Sequence, residues 1–242
     1  MILLLLIIIL TGNFNNFLLY FSIIFIHELG HLTMGLIFEW KIDNISFYPY
    51  GGVTKFNEDI NRPLKEELLI LLMGPLTQII YYLIIINFIS LRNINIFRYY
   101  HYSILIFNLL PIYPLDGGRI LNIFLSYFFS YKNSLFITVN LSFVGIILLT
   151  IVSLYYKSNI NLNLFLMISL IIVKLINYYK KRKYYLNKFK LERYLNNYSF
   201  NKLKKINNID NMMRDKRHII KKNNKYYTEK ELLQKRYSMQ KY

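Results

Sequence analysis

The stretch FIHELGHLTMG, Phe25 to Gly35, places two imidazoles and a carboxylate inside an apolar run from Phe17 to Phe38. On a helix, residues four apart face the same way, so His27 and His31 can turn toward one metal ion. Glu28 is displaced around the axis and can lie beside that metal without binding it. This is the mechanical logic of H-E-x-x-H zinc sites, where two nitrogens hold the ion and the glutamate takes a proton from water. The string is short and arises by chance in soluble helices. Inside an apolar segment, however, each ionisable group is costly and usually faces a cavity or pathway, so a metal site is the preferred reading.

Two ligands are too few, because catalytic zinc usually has three protein ligands and one open position. The remaining carboxylate in an apolar segment is Asp116, within NLLPIYPLDGGRI, 85 residues after His31. Pro111, Pro114, Gly117 and Gly118 interrupt a helix there and can present Asp116 at a fixed angle. Its plainer roles are a helix cap or a partner for Arg119. Asn108 can bond a peptide carbonyl or a developing oxyanion, or act as polar glue between helices. In such zinc sites, one ion per chain held by nitrogen and carboxylate ligands can acidify its bound water and polarise a carbonyl. The chemistry implied is peptide-bond hydrolysis within a membrane. His101 and His218 have no partner at ligand spacing; the first reads as an interfacial residue among tyrosines, the second as a solvated residue.

These groups need elements to carry them. The chain has 242 residues, is 55% hydrophobic and 17% aromatic, and bears a formal charge of +17. That composition suits a polytopic membrane protein better than a soluble domain. The absence of cysteine excludes disulfides, thiolate metal sites and thiol nucleophiles. A bilayer core about 30 Å thick needs roughly 20 apolar residues in a helix. Phe17–Phe38, Leu68–Leu91, Ser134–Tyr156 and Ile160–Asn177 approach that length, and Tyr99–Leu115 is apolar but ends in PIYPLDGG. Broken backbone at membrane depth is tolerated only where it is buried in protein or lines a wet cavity, so the last segment must point inward. Met1–Leu10 is too short to span and lacks a basic leader and a small-residue cleavage site; it reads as a shortened first membrane helix. Small Gly30 and Gly35 allow another element to approach the first complete helix closely.

Residues 178–242 hold 20 Lys/Arg against 5 Asp/Glu, whereas residues 1–177 hold 10 against 8. By the bias of basic residues, this tail is expected in the cytosol. Residues 1–177 then form a membrane-embedded domain and 178–242 a cytosolic basic tail. The tail reads first as a solvated, partly helical extension, next as a surface for anionic lipid, and third as a site for a protein substrate or regulator. Nucleic acid is not expected as a partner.

With both motifs in place, the sequence resembles the site-2 protease family of intramembrane zinc metalloproteases, most closely its sporulation members. The resemblance rests on LLTGNFNNFLLYFSIIFIHELGH, FYPYGGVTKFNEDINRPLKEELLILLMGPLTQ and YSILIFNLLPIYPLDGGRIL, in that order, and covers most of residues 9–121. It implies an all-α fold of about six membrane helices, the first truncated. Three of these would form the catalytic core: Phe17–Phe38, Leu68–Leu91 and part of Tyr99–Phe129. It implies His27, His31 and Asp116 as zinc ligands, Glu28 as general base and Asn108 in the family's asparagine position. The PYGG stretch resembles a re-entrant loop beside the active site. Gly51 and Gly52 would there offer backbone to an extended peptide, against the plainer reading of a Pro/Gly turn. The substrate implied is a membrane-associated pro-protein, pro-sigma-K of sporulation, in the mother-cell membrane around the forespore, with membrane-protein inhibitors as further partners. The relatives carry a nucleotide-sensing CBS-type domain after the last helix, for which residues 178–242 are short; a reduced CBS-like region is the expectation.

Three rivals frame this reading. A site-2 protease with another membrane substrate would use the same residues. An idle scaffold has no need to keep an expensive acid beside two histidines. A transporter tends to show paired repeats with matching broken helices, and only one broken segment is evident.

Overall fold

Apolar runs become helices wherever no backbone breaker intervenes. The computed structural model describes residues 14–48, 51–88, 91–155, 162–222 and 225–238. Helix α1 spans Phe14–Ile37, and strands β1 (Ile42–Tyr48) and β2 (Gly51–Phe56) pair antiparallel. Helices α2 (Leu64–Ile85), α3 (Leu91–Leu109), α4 (Asp116–Phe128), α5 (Tyr131–Tyr155) and α6 (Leu162–Leu195) follow. The C-terminal residues add β3 (Leu203–Ile206), a 3-10 turn at Ile209–Asn211, β4 (Arg217–Lys222), β5 (Lys225–Thr228) and α7 (Glu229–Ser238). The expected short first helix, Met1–Leu10, lies outside the described residues, as do Pro49 and Tyr50 of the PYGG stretch.

Among the described residues, three helices are long and apolar enough to cross a membrane: α1, α2 and α5. They coincide with three of the expected windows. The expected break is also present, since α3 ends at Leu109 and α4 begins at Asp116. The fold is nevertheless mostly helical rather than all-α. The tail is not simply a solvated helical extension: β3 and β4 pair parallel, and β5 joins β4 antiparallel.

The chain divides into two compact units, Met1–Asn57 with Leu69–Leu109, and Glu58–Leu68 with Leu110–Tyr242. In the first, Ile23, Ile24, Phe97 and Ile104 form a buried cluster that joins α1 to α3. Helix α1 ends as sequence physics demands. Glu39 turns left-handed at φ 57°, and Trp40 N donates back to Gly35 O at 2.8 Å, which satisfies a terminal carbonyl. The expectation for the small residues of α1 holds: a β-carbon on Gly30 would overlap Met73 and Thr77 of α2, and one on Gly35 would overlap the Phe56 ring.

In the second unit, α5 has a reversed pattern. Ser134, Thr138 and Ser142 are fully buried, while Val144, Ile147, Leu148, Ile151 and Val152 are more than half exposed. Small hydroxyl residues at the protein face and bulky aliphatics outside are what a membrane helix shows, because lipid covers the aliphatic face at no cost. Tyr131, Leu135, Phe189, Ile206, Met212 and Ile220 form a cluster that packs the sheet against α5 and α6.

Candidate metal centre

His27, Glu28 and His31 are all buried on α1, with exposures of 2%, 6% and 5%. Their ligand-capable atoms lie within 4.8 Å of one another. Each histidine is fixed by a partner from α2. His31 Nδ1 meets Ile70 O at 2.8 Å, and His27 Nδ1 meets Gln78 Oε1 at 2.9 Å. Gln78 is itself oriented, because its Nε2 donates to His101 O at 3.0 Å. Both partners of the rings can only accept, so each Nδ1 carries the proton and each Nε2 presents a lone pair. These two nitrogens face each other at 3.1 Å.

That geometry fits a metal. Two nitrogens bound to one tetrahedral zinc at about 2.0–2.1 Å lie roughly 3.3 Å apart. An outer acceptor on the far nitrogen of each ligating histidine is also the usual supporting pattern for metal sites.

Glu28 is held differently. Thr54 Oγ1, from β2, donates to Glu28 Oε2 at 2.6 Å. Gly52 lies against the same side chain, and a β-carbon at residue 52 would overlap Glu28. Gly74 stands in the same relation to His31, where a β-carbon would overlap Nε2 itself. Both glycines keep open the space in front of the reactive atoms. Pro75 sits inside α2, one residue on. It lacks the amide that in an unbroken helix would donate to Leu71 O, the carbonyl next to the Ile70 O that accepts from His31.

The other expected site residues are placed as follows. Gly51 begins β2 opposite Tyr48, and Gly52 pairs with Phe47. Asn108 stands in the last turn of α3, partly buried. Asp116 belongs to the second unit, where it is the first residue of α4 and partly buried. A carboxylate is favourable there because the helix N-terminus carries partial positive charge. The preceding turn is tightly built. Tyr113 N donates to Ser142 Oγ on α5 at 2.9 Å, and Gly118 packs so closely on Ile112 and Tyr113 that a β-carbon would overlap their backbone. Asn122 Nδ2 donates to Thr138 Oγ1 at 2.9 Å and Ser126 Oγ to Ser134 Oγ at 3.1 Å, which seats α4 along the hydroxyl ladder of α5. Around the prolines and glycines of PIYPLDGG the helix is broken, and Asp116 stands at the start of the next one.

Two readings of single residues are corrected. His101 does lie among tyrosines, but inside the protein: it is 2% exposed, stacks on Tyr82 with ring centroids 4.2 Å apart, and its backbone carbonyl accepts from Gln78. His218 is not solvated: it is 1% exposed, bonded through Nδ1 to Glu229 at 2.6 Å and accepting at Nε2 from Met213 N at 3.1 Å. Sequence reasoning also missed Gln78 and Thr54. The only signal for Gln78 was a lone amide in an apolar run, four residues after Gly74.

A helix-borne pair of facing imidazoles beside a buried acid, in a chain with three candidate spans among the described residues, is the arrangement of a membrane protein with a candidate metal centre of the H-E-x-x-H type. The profile of peptidase family M50 matches residues 15–102 and 89–152, and the chain belongs to that family. It is similar to stage IV sporulation protein FB of Bacillus subtilis, 33% identical over 190 residues that cover 76% of this chain and 66% of the relative. A zinc metalloprotease of Methanocaldococcus jannaschii is 35% identical over 133 residues, 52% of this chain and 38% of the relative. The chain therefore spans less than two thirds of the length of these curated relatives. Among solved structures, the site-2 protease from Methanocaldococcus jannaschii aligns with a TM-score of 0.51 and 31% identity, covering 69% of this chain and 83% of that one. The chain is an integral membrane protein of a family of zinc metalloproteases, with His27, Glu28 and His31 as its candidate metal site.

Proposed function

We propose that this chain is an intramembrane zinc endopeptidase that hydrolyses a peptide bond of a membrane-associated pro-protein. The observation that carries the reading is the meeting of His27 Nε2 and His31 Nε2 at 3.1 Å, both rings anchored through Nδ1, beside buried Glu28. His27 and His31 supply two ligands and Asp116, presented by the LDGG turn, the third; the family profile spans all three positions. Zinc held there supplies a Lewis acid that polarises a peptide carbonyl and makes water more acidic.

Glu28 performs the proton transfers. Its carboxylate takes a proton from the water whose oxygen attacks the scissile carbon, and returns it to the nitrogen as the C–N bond breaks. The Thr54 hydroxyl fixes Oε2 and the absent side chain at Gly52 leaves room at the carboxylate, so the base keeps one orientation. Gly51 and Gly52 on β2 offer backbone to a substrate unwound into extended form, and Asn108 donates to a substrate carbonyl or to the developing oxyanion.

The substrate is the pro-sequence of a sporulation sigma factor, pro-sigma-K, in the mother-cell membrane around the forespore. Similarity to a relative named for stage IV of sporulation supports this choice. Residues 1–177 form the membrane domain and 178–242 a tail on the cytosolic side, where membrane-protein inhibitors have access. Co-expression with pro-sigma-K tests the substrate: the intact chain shortens it, and an Asp116→Asn variant does not. Unshortened pro-sigma-K, together with cleavage of another membrane protein, would reassign the substrate while leaving the chemistry in place.

A further inference from the structure

The start of α2 is held from the opposite end of the sequence. A helix start usually carries its own Ser, Thr, Asp or Asn to accept from the unpaired first amides. Here Pro63 occupies that place, and Leu64 N donates instead to Asp215 Oδ2 at 2.9 Å, across 151 positions. Asp215 holds φ at 51°, a left-handed backbone that aspartate adopts more readily than most non-glycine residues. Beside it, Arg214 pairs with Glu67 at 2.8 Å and bonds Arg62 O at 3.3 Å. One step upstream, Asn61 is gripped on both sides. Arg193 Nε donates to its Oδ1 at 2.5 Å, and its Nδ2 donates to Phe189 O at 3.0 Å and to Glu192 Oε2 at 2.8 Å. Arg193 is 3% exposed and anchored in turn by Met213 O at 2.9 Å and Lys216 O at 2.8 Å.

The same helix continues into the residues that shape the metal centre: Ile70 holds His31, Gly74 clears its Nε2, and Gln78 holds His27. We propose that Asp215, with Arg193 at Asn61, is a positioning clamp by which the C-terminal segment fixes the first turn of α2, and through that continuous helix the setting of both imidazoles. The proposal rests on the metal-centre reading above. Its physical ground is sensitivity: misplacing a reactive group by about 1 Å from a distant change costs roughly a hundredfold in rate. An uncapped first turn frays, and a frayed start frees the helix to shift along its axis.

The test uses the full chain in detergent, loaded with Co2+ for its visible spectrum and with Zn2+ for retention against a chelator. Asp215→Gly removes the carboxylate while adopting a φ of 51° freely, and Asp215→Asn keeps an acceptor oxygen. Asp210→Asn is the control for general damage, since Asp210 pairs with Lys190 and not with the start of α2. The clamp predicts an altered cobalt spectrum, zinc loss about tenfold faster and a lower kcat at near-constant KM for Asp215→Gly, with Asp215→Asn and Asp210→Asn close to wild type. An Asp215→Gly chain that matches wild type, or an Asp210→Asn chain that fails equally, overturns the clamp alone. A wild-type chain that takes up neither metal overturns the metal-centre reading and the clamp with it.

Discussion

His31 Nε2 faces His27 Nε2 at 3.1 Å, while Ile70 O and Gln78 Oε1 take up the opposite edges of the two rings. The pair is pre-set for a cation before one arrives, because both tautomers are dictated by groups that can only accept. Helix α2 is therefore as much a part of the centre as the helix that bears the histidines.

Gln78→Leu removes the acceptor of His27 Nδ1 and loosens the orientation of the ring. Supporting partners of metal ligands are worth about 10–100-fold in affinity, so zinc competition assays should show a loss in that range, with Glu28 and Asp116 untouched. Unchanged affinity would mean that Gln78 merely fills the space between α1 and α3.

Two glycine substitutions should fail differently. Gly74→Ala pushes on His31 Nε2 and should reduce the metal content of the purified chain. Gly52→Ala pushes on Glu28 and should leave metal in place while lowering kcat, by about 10²-fold or more if the base is displaced. Metal analysis and turnover on the same preparations separate the two.

Ser142→Ala strips the acceptor from Tyr113 N in the turn before Asp116. A buried donor left unpaired costs about 1–3 kcal/mol, so the variant should unfold at lower temperature. If Asp116 is a ligand, it should also hold zinc less tightly, and Asp116→Asn should weaken binding further. Equal zinc affinity in all three chains would remove Asp116 from the ligand set.

The C-terminal segment has its own acid sensitivity. Burial raises the pKa of Glu229, but the His218 hydrogen bond and the Arg193 charge outweigh it and hold the carboxyl below its ordinary 4.5. A depressed folded value means that the stabilisation is complete above about pH 4.5 and is lost as pH falls through the lower folded value. Glu192 opposes this, because burial, partly offset by Asn61, raises its value and protonation relieves it. Protease resistance of residues 178–242, followed from about pH 6 down to about pH 3, should fall in wild type. In Glu229→Gln it should start lower and fall less; parallel curves would contradict the assignment.

The site's skeleton was legible because it depends on local rules. Spacing of four put His27 and His31 on one face, an apolar run marked the helix, and prolines with glycines marked the break before Asp116. What was not legible depends on partners far along the chain. Gln78 meets His27 across 51 positions, Thr54 meets Glu28 across 26, and nothing local to any of them announces the pairing. His101 read as interfacial and His218 as solvated because their neighbours in sequence are tyrosines or lysines, whereas in the fold the His101 ring packs on Tyr82 and His218 bonds Glu229. The tail's sheet escaped notice for a related reason. Its strands are four to six residues long and rich in lysine, and β3 pairs parallel with β4. A short strand with outward lysines carries little of the alternation that marks a sheet from sequence.

The most direct test of the central claim compares the intact chain with Glu28→Gln, measuring cleavage of a co-expressed pro-sigma-K in membranes and zinc per purified chain. One zinc in each, with cleavage by the intact chain and a loss of about 10²-fold or more in the variant, is the result expected of a hydrolytic centre built on His27, Glu28 and His31. Equal cleavage by both chains, or no zinc in either, would contradict it.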